Sequence, residues 1–554
     1  MRTTLLILLA LATPVLRAEK PAVDLAPWEA LAVQDSGRRK PLGTFGHEAL
    51  VKISGTDPVK LSDGSKMGGT EFAFANFYAT RDFINEPVVL VSYRPLVEHL
   101  GLDPSRKRFS GKELAQTPQL IELAQEAAAL RQVSEPVPRL NAEAQSVIGR
   151  LQLLKGLGDT SAFAIFPAPP GSAAGAPWLD IQAAPSAYTR DITDPLFLKL
   201  RDINMAARGG DNDAFAGLVR QLEDALRALN PELYPPERVI DRELAYNRTK
   251  PFDAAMWLFA AATALLVVGS RHGWRRWPLQ TGVALTLAGF AFMLWGLVQR
   301  VLIAGRAPVT NMYESVVWVA MGTVLFGLIF YAFYRNRLML ISALPVSFLA
   351  LLLVRSLPVA MPSRLDPLVP VLRDNFWLTV HVLTITLSYA AFALALGFAH
   401  VVLWRYIRHP QTADAIRPLH EWLYRMMFVG LILLAAGTIL GGVWANYSWG
   451  RFWGWDPKET WAFIALLMYV VAIHGKMAGW WGDFGIAVAA VVNFAGIIMA
   501  WYGVNYVLGA GLHSYGFGVG GEGYVLLFLA AEAAYVTLAV IRHRGARKNG
   551  LAPA

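Results

Sequence analysis

From Phe252 to about residue 541 the chain is a succession of apolar runs long enough to cross a bilayer, and this constrains its fold more than any other feature. The runs fall at about 252–270, 279–298, 312–334, 338–354, 376–404, 423–443, 459–475, 484–504 and 523–541. A helix needs roughly 20 apolar residues to span the hydrocarbon core. Within lipid the backbone must satisfy its own hydrogen bonds, so runs of this kind read as helices. The fourth run is short and the fifth long. The expected count is therefore about nine. Composition agrees: 55% of residues are apolar and 16% charged, against roughly 25% charged in an ordinary soluble domain.

The part before this array differs. Residues 1–18 combine Arg2, an apolar stretch over 5–12 and a candidate cleavage point after Ala18. That stretch is too short to span a bilayer and reads as a signal peptide, with an uncleaved anchor as the alternative. Residues 19–250 are rich in Pro, Asp, Glu and Arg and read as a water-soluble domain. Helical periodicity runs over 113–132, 139–155 and 212–229, the last ended by Asn230-Pro231. Extended runs lie at 88–93, 163–166 and 178–182, with a loop over 167–177. The expected fold class is an α-helical integral membrane protein preceded by a mixed α+β soluble extracytoplasmic domain. The expected segments are 1–18, 19–250, a membrane domain over 251–541 and a cytoplasmic tail over 542–554.

No cysteine is present. That excludes disulfide staples, thiol relay chemistry and a C-x-x-C-H attachment site within the chain. The formal net charge of +9 does not indicate nucleic acid here. In a membrane protein, excess Lys and Arg gather in cytoplasmic loops and at lipid headgroups. With 19–250 outside, the inner loops carry Arg271, Arg275 and Arg276, Arg335 and Arg337, Arg405, Arg408, Arg417 and Arg425, and Lys476, and the tail carries Arg542, Arg544, Arg547 and Lys548. The outer loops carry about half as many, so the signal peptide and the positive-inside rule give the same orientation.

The loop between the sixth and seventh runs, residues 444–459, holds Trp444, Trp449, Phe452, Trp453 and Trp455, with Arg451 among them. Such a cluster suits an interfacial aromatic belt. It also suits a platform for a flat apolar ring with an anionic edge, the Trp faces stacking and Arg451 and Lys458 pairing with carboxylates. Asp456, Pro457 and Glu459 form a helix start of cap, first position and acidic third position. Such an N-terminus still favours an anion. On the expected topology His381 and His513 share the level of this loop, and imidazole is a normal axial ligand of heme iron. His474 lies roughly 27 Å deeper by helical rise. His400, about 28 Å along its helix from His381, is at a similar depth and either pairs with His474 or packs as an ordinary polar group. Arg306 precedes Asn311 and Glu314, another cap with its acidic third position, and is a further candidate partner for a carboxylate.

Together these residues resemble a known family. Trp449-Gly450-x-Phe452-Trp453-x-Trp455-Asp456-Pro457-Lys458-Glu459-Thr460-Trp461 resembles the WWD signature of heme-handling proteins of the CcsA (ResC) type, the cytochrome c synthases. Trp377-Leu378-x-x-His381-Val382 and Gly511-Leu512-His513-Ser514-Tyr515 resemble the two external histidines, His474 the inner one, and Thr310-Asn311-Met312-Tyr313-Glu314 also fits. The likeness covers about residues 240–541. It implies a protein of the bacterial inner membrane, surrounded by lipid, that binds heme b through His381, His513 and His474. The WWD loop would hold that heme for thioether attachment to the C-x-x-C-H segment of apocytochrome c. Residues before 250 do not look like the multi-spanning component found in fused members, so a separate ResB/CcsB-like partner is implied, and with it the second inner histidine. No catalytic side chain is assigned. The alternatives are delivery of heme to a carrier in the manner of CcmC or CcmF, a membrane b-type cytochrome taking electrons from quinol, and a transporter with an aromatic belt.

Overall fold

The computed structural model describes residues 23–133, 135, 137–271, 276–368, 374–409, 417–508 and 520–548. The 1–18 segment and His513 therefore lie outside the described residues. The chain divides into two compact units, one ending at Arg248 and one beginning at Thr249.

The first unit is mainly helical. The expectation of a mixed α+β domain is corrected here, because among the described residues strands occur only as three short antiparallel pairs. Ala32–Asp35 pairs with Arg38–Pro41 through Ser36 and Gly37, both at positive φ, as a two-residue hairpin requires. Of the extended run at 88–93, only Val89–Leu90 joins a ladder, with Arg108–Phe109. Runs 163–166 and 178–182 contribute single bridges, Gln34 to Ala164 and Phe166 to Leu179. These short apolar runs supply side chains to the core, not sheet. Helices Pro118–Gln132, Arg139–Gly158 and Asn212–Leu229 occupy the periodic stretches. Leu42–Ser54 and Arg190–Gly209 are further helices. The core gathers Trp28, Phe45, Phe72, Phe163 and Phe215, each almost completely buried. Arg38 forks onto Glu243, Nη1 to Oε2 at 2.7 Å and Nη2 to Oε1 at 2.9 Å, tying the hairpin to a distant helix.

The second unit is a multi-pass membrane bundle. Among the described residues, nine helices are long and apolar enough to cross a membrane. They are Pro251–Arg271, Arg276–Ala304, Met312–Tyr334, Leu338–Ser356, Leu383–Arg408, Arg417–Trp449, Pro457–Met477, Asp483–Ile498 and Glu522–Lys548, numbered first to ninth below. The fifth is entered through a π-helical turn, Leu378–Val382, and the eighth runs on into the π-helical Met499–Leu508. The fifth helix is central, packing on the third, fourth, sixth, eighth and ninth. Its sequence explains this. Ala390, Ala391, Ala393, Ala395 and Gly397 are small, and small residues let helix backbones approach where lipid offers no hydrophobic drive. A Cβ on Gly397 would collide with the Ser342 carbonyl of the fourth helix, and one on Gly322 would meet Ala390 Cβ at 2.8 Å. The ninth helix is the opposite case, with only 6% of its most apolar window buried.

Candidate functional site

The sixth helix ends at Trp449. Gly450, at φ +69°, turns the chain while its N–H reaches Asn446 O at 3.0 Å, the usual left-handed helix stop. The seventh helix starts six residues later, at Asp456. Asp456 Oδ1 accepts Lys458 N–H at 2.9 Å, and Glu459 Oε2 accepts Asp456 N–H at 3.2 Å and Gly454 N–H at 2.7 Å. The five residues between these two signals carry Arg451, Phe452, Trp453 and Trp455. Trp455 is held at φ +57° and is 67% exposed. A left-handed backbone on a bulky residue is strained, and such strain gathers at functional sites.

This loop closes over a cavity of about 1220 Å³ including its mouth. Its walls come from five helices and the loop: Thr310, Asn311 and Ser315 at the start of the third, His381, Ile385 and Tyr389 of the fifth, Gly441 and Trp444 of the sixth, Phe452 and Trp453 of the loop, Lys458 of the seventh and Trp501 and Asn505 of the eighth. Both π-helical segments contribute, which fits their frequency at functional sites.

His381 sits on the first of these segments. Its Nδ1–H donates to Gly437 O at 2.8 Å, and its ring lies 5.7 Å from that of Trp444. A carbonyl only accepts, so the neutral ring carries its proton on Nδ1 and its lone pair on Nε2, the arrangement that suits a metal ligand. Trp444 is buried, and its Nε1–H finds no acceptor among the described residues. Among the described residues Lys458 is the one cationic side chain in the lining, and its Nζ reaches Asn505 Oδ1 at 3.4 Å. The sequence signals for Tyr389, Trp501 and Asn505 were present but slight: Tyr389 lies two helical turns beyond His381, and Trp501 and Asn505 are four residues apart on one run.

The other candidates lie elsewhere. Arg451 lies across Gly454, where any Cβ would strike its guanidinium. It reaches Glu459 Oε1 at 3.5 Å and covers the Trp449 ring at 5.7 Å. Trp449, Arg451, Trp455 and Asp456 flank the cavity without lining it. Arg306 is 6% exposed, pairs with Glu314 Oε2 at 3.1 Å, hydrogen-bonds Thr310 and donates to Asp366 O at 2.9 Å. It too is outside the lining. His474 is exposed near the far end of the seventh helix, about 24 Å from Lys458 by helical rise, with its Nδ1–H on Val470 O at 2.9 Å. His400 uses both ring nitrogens, Nδ1 with Leu396 O at 2.8 Å and Nε2 with Glu532 Oε2 at 3.0 Å, and stacks on Tyr535.

Comparison with known proteins adds an independent line. Residues 309–513 match the family described as cytochrome C assembly protein. Protein NrfI of Wolinella succinogenes is 28% identical over 512 residues, covering 88% of this chain and 54% of that protein. The chain thus spans about half the length of that relative. Cytochrome c biogenesis protein CcsA of Prochlorococcus marinus subsp. pastoris is 33% identical over 255 residues, 41% of this chain and 80% of that protein. A CcsA from another strain of the same species is 35% identical over 250 residues, 40% of this chain and 79% of its own length.

Proposed function

Because the chain belongs to the CcsA-type family of cytochrome c biogenesis proteins, we propose that it serves cytochrome c maturation by holding heme b, as substrate, in this cavity and presenting it to apocytochrome c. The observation that carries the reading is His381 seated in an aromatic-walled cavity whose one cationic lining residue, among the described residues, is Lys458.

Each wall suits one part of such a guest. The Nε2 lone pair of His381 suits iron. The faces of Trp444, Phe452 and Trp453 suit a flat apolar macrocycle. The Lys458 ammonium suits a carboxylate. The orphaned Trp444 Nε1–H supports a guest with an acceptor at its edge, since a buried donor is normally satisfied. His513 is proposed as the second axial ligand, on the family resemblance. Trp449, Arg451, Trp455 and Asp456 shape the loop, and Arg306 holds the wall through Glu314 and Thr310. His474 is proposed to serve an inner heme position together with a ResB/CcsB-like partner.

In the reaction, each thiol of a reduced C-x-x-C-H segment adds across a vinyl group. A carbon–sulfur bond forms at one vinyl carbon and the thiol proton passes to the other. Nothing is oxidised and nothing leaves. This chain has no cysteine, so both sulfurs come from the apocytochrome, whose own histidine then replaces one axial imidazole. The chain's part is to bind, orient and ligate. The proposed setting is the bacterial inner membrane, with the first unit and the loop on the periplasmic side. Docking of the apocytochrome or partner is the proposed role of the first unit.

The test is the reduced absorption spectrum of the purified protein, alone and with a ResB-like partner, for wild type and for His381→Ala, His513→Ala and His474→Ala. Heme lost or spectrally altered in the His381 and His513 variants supports the reading. A wild type that stays heme-free with partner and supplied heme overturns it.

A further inference from the structure

We infer that Gly437 and Gly441 of the sixth helix are positioning residues for His381, forming with Trp444 a socket that fixes which imidazole nitrogen faces the heme. The inference rests on the proposed heme reading for its purpose, but its geometry is independent of that reading. Residues 437, 441 and 444 follow a spacing of four and three, so they line one face of the helix. Each meets the ring differently. Gly437 supplies the carbonyl that accepts Nδ1–H at 2.8 Å. It can come this close because it has no side chain: a Cβ there would lie 2.8 Å from Ile385 Cα. Gly441 leaves the space that the ring edge fills, where a Cβ would stand 2.7 Å from His381 Cε1 and 3.1 Å from Nδ1. Trp444 closes the seat at 5.7 Å between ring centres. A methyl at 441 would push the ring off the Gly437 carbonyl, releasing both the tautomer and the aim of Nε2. Partners that orient a ligating histidine in this way are worth about 10- to 100-fold in metal affinity.

The experiment uses the full chain in detergent with iron protoporphyrin IX, comparing wild type with Gly441→Ala, His381→Gly and Gly430→Ala. Gly430 is the packing control, since its Cβ would press on Phe392, not on His381. The expected result is that Gly441→Ala binds about 10-fold or more weakly and loses the low-spin spectrum. Added imidazole restores that spectrum, as it does for His381→Gly, while Gly430→Ala keeps the wild-type spectrum. A wild-type spectrum in Gly441→Ala, or the same loss and rescue in Gly430→Ala, overturns the socket. A second measurement needs no heme: nitrogen-15 shifts of the His381 ring in the apo protein, assigned with His381→Gln. A neutral ring protonated at Nδ1 in wild type, mixed in Gly441→Ala, supports the socket, and a wild-type ring protonated at Nε2 overturns it. If the wild type takes up no heme, the function proposal falls and the tautomer measurement alone decides the socket.

Discussion

Arg300 on the second helix and Glu314 on the third form an ion pair at 2.8 Å with 1% and 0% of their side chains exposed. Arg306 adds a second contact to the same carboxylate, and Thr310 donates both N–H and hydroxyl to it, at 2.8 and 2.7 Å. Arg300 also reaches Ser363 O at 3.0 Å, and Asn311 reaches Arg364 O at 3.2 Å, so the network fixes the segment after the fourth helix against the cavity wall. Removing one partner of such a buried pair leaves an uncompensated charge, at a cost of about 3–5 kcal/mol. Glu314→Ala is expected to lower the thermal midpoint of the detergent-solubilised protein sharply. Arg306→Met, which leaves Arg300 on the carboxylate, should lower it less. Equal midpoints in wild type and Glu314→Ala would remove the network's structural role.

Lys458 lines the cavity and Arg451 does not, so the proposed partner for a carboxylate is Lys458. Lys458→Met is expected to weaken binding of iron mesoporphyrin by about 10-fold or more, the scale of one charge-assisted hydrogen bond. Binding of its dimethyl ester should change little. Arg451→Met should affect both ligands alike, because Arg451 is spent on Glu459 and Trp449. Titration of the four protein–ligand pairs by absorbance decides this, and equal losses for acid and ester in Lys458→Met would rule the pairing out.

Trp455 combines a strained backbone with an exposed ring. Trp455→Gly is expected to leave thermal stability unchanged or raised, since relief of about 1–3 kcal/mol of strain offsets the loss of a largely solvated side chain. Heme capture should fall in the same variant. A clear drop in thermal midpoint would mean that the ring, not the backbone, dominates.

In the first unit, hydrogen bonds from Arg106, with the Ser110 cap, hold the Glu113 carboxyl down at about 2. The folded value lies below the unfolded one, so the contribution is fully present above about 4.5 and is lost as pH falls toward 2. Amide-exchange protection of residues 110–117 in the full chain is expected to decline across that window. Glu113→Gln should start lower and stay flat, and a wild-type profile that is also flat would contradict the assignment.

Much of the membrane unit was legible from the chain alone. Each apolar run became a helix because crossing hydrocarbon depends on summed local hydrophobicity, which a window of sequence contains. The starts at Asn311 and Asp456 were equally readable, because a cap and its acidic third position lie within one turn. The first unit was less legible. Its apolar runs at 88–93, 163–166 and 178–182 have strand composition, but whether such a run finds a ladder partner depends on residues far away in the chain.

What the sequence determined by itself, then, was a family signature, an order of membrane helices and a set of candidate residues for the proposed heme site. Only the tertiary structure decided which of them face the cavity. Arg306 and Arg451 carry the right charge, but Glu314 and Glu459 claim them. Lys458 lines the cavity, where the continuation of the eighth helix sets Asn505 beside it at 3.4 Å. His381 is held by glycines 56 and 60 residues further along the chain. Charge and residue type are local properties, whereas pairing is settled by which helices come close enough to satisfy a group once water has been excluded.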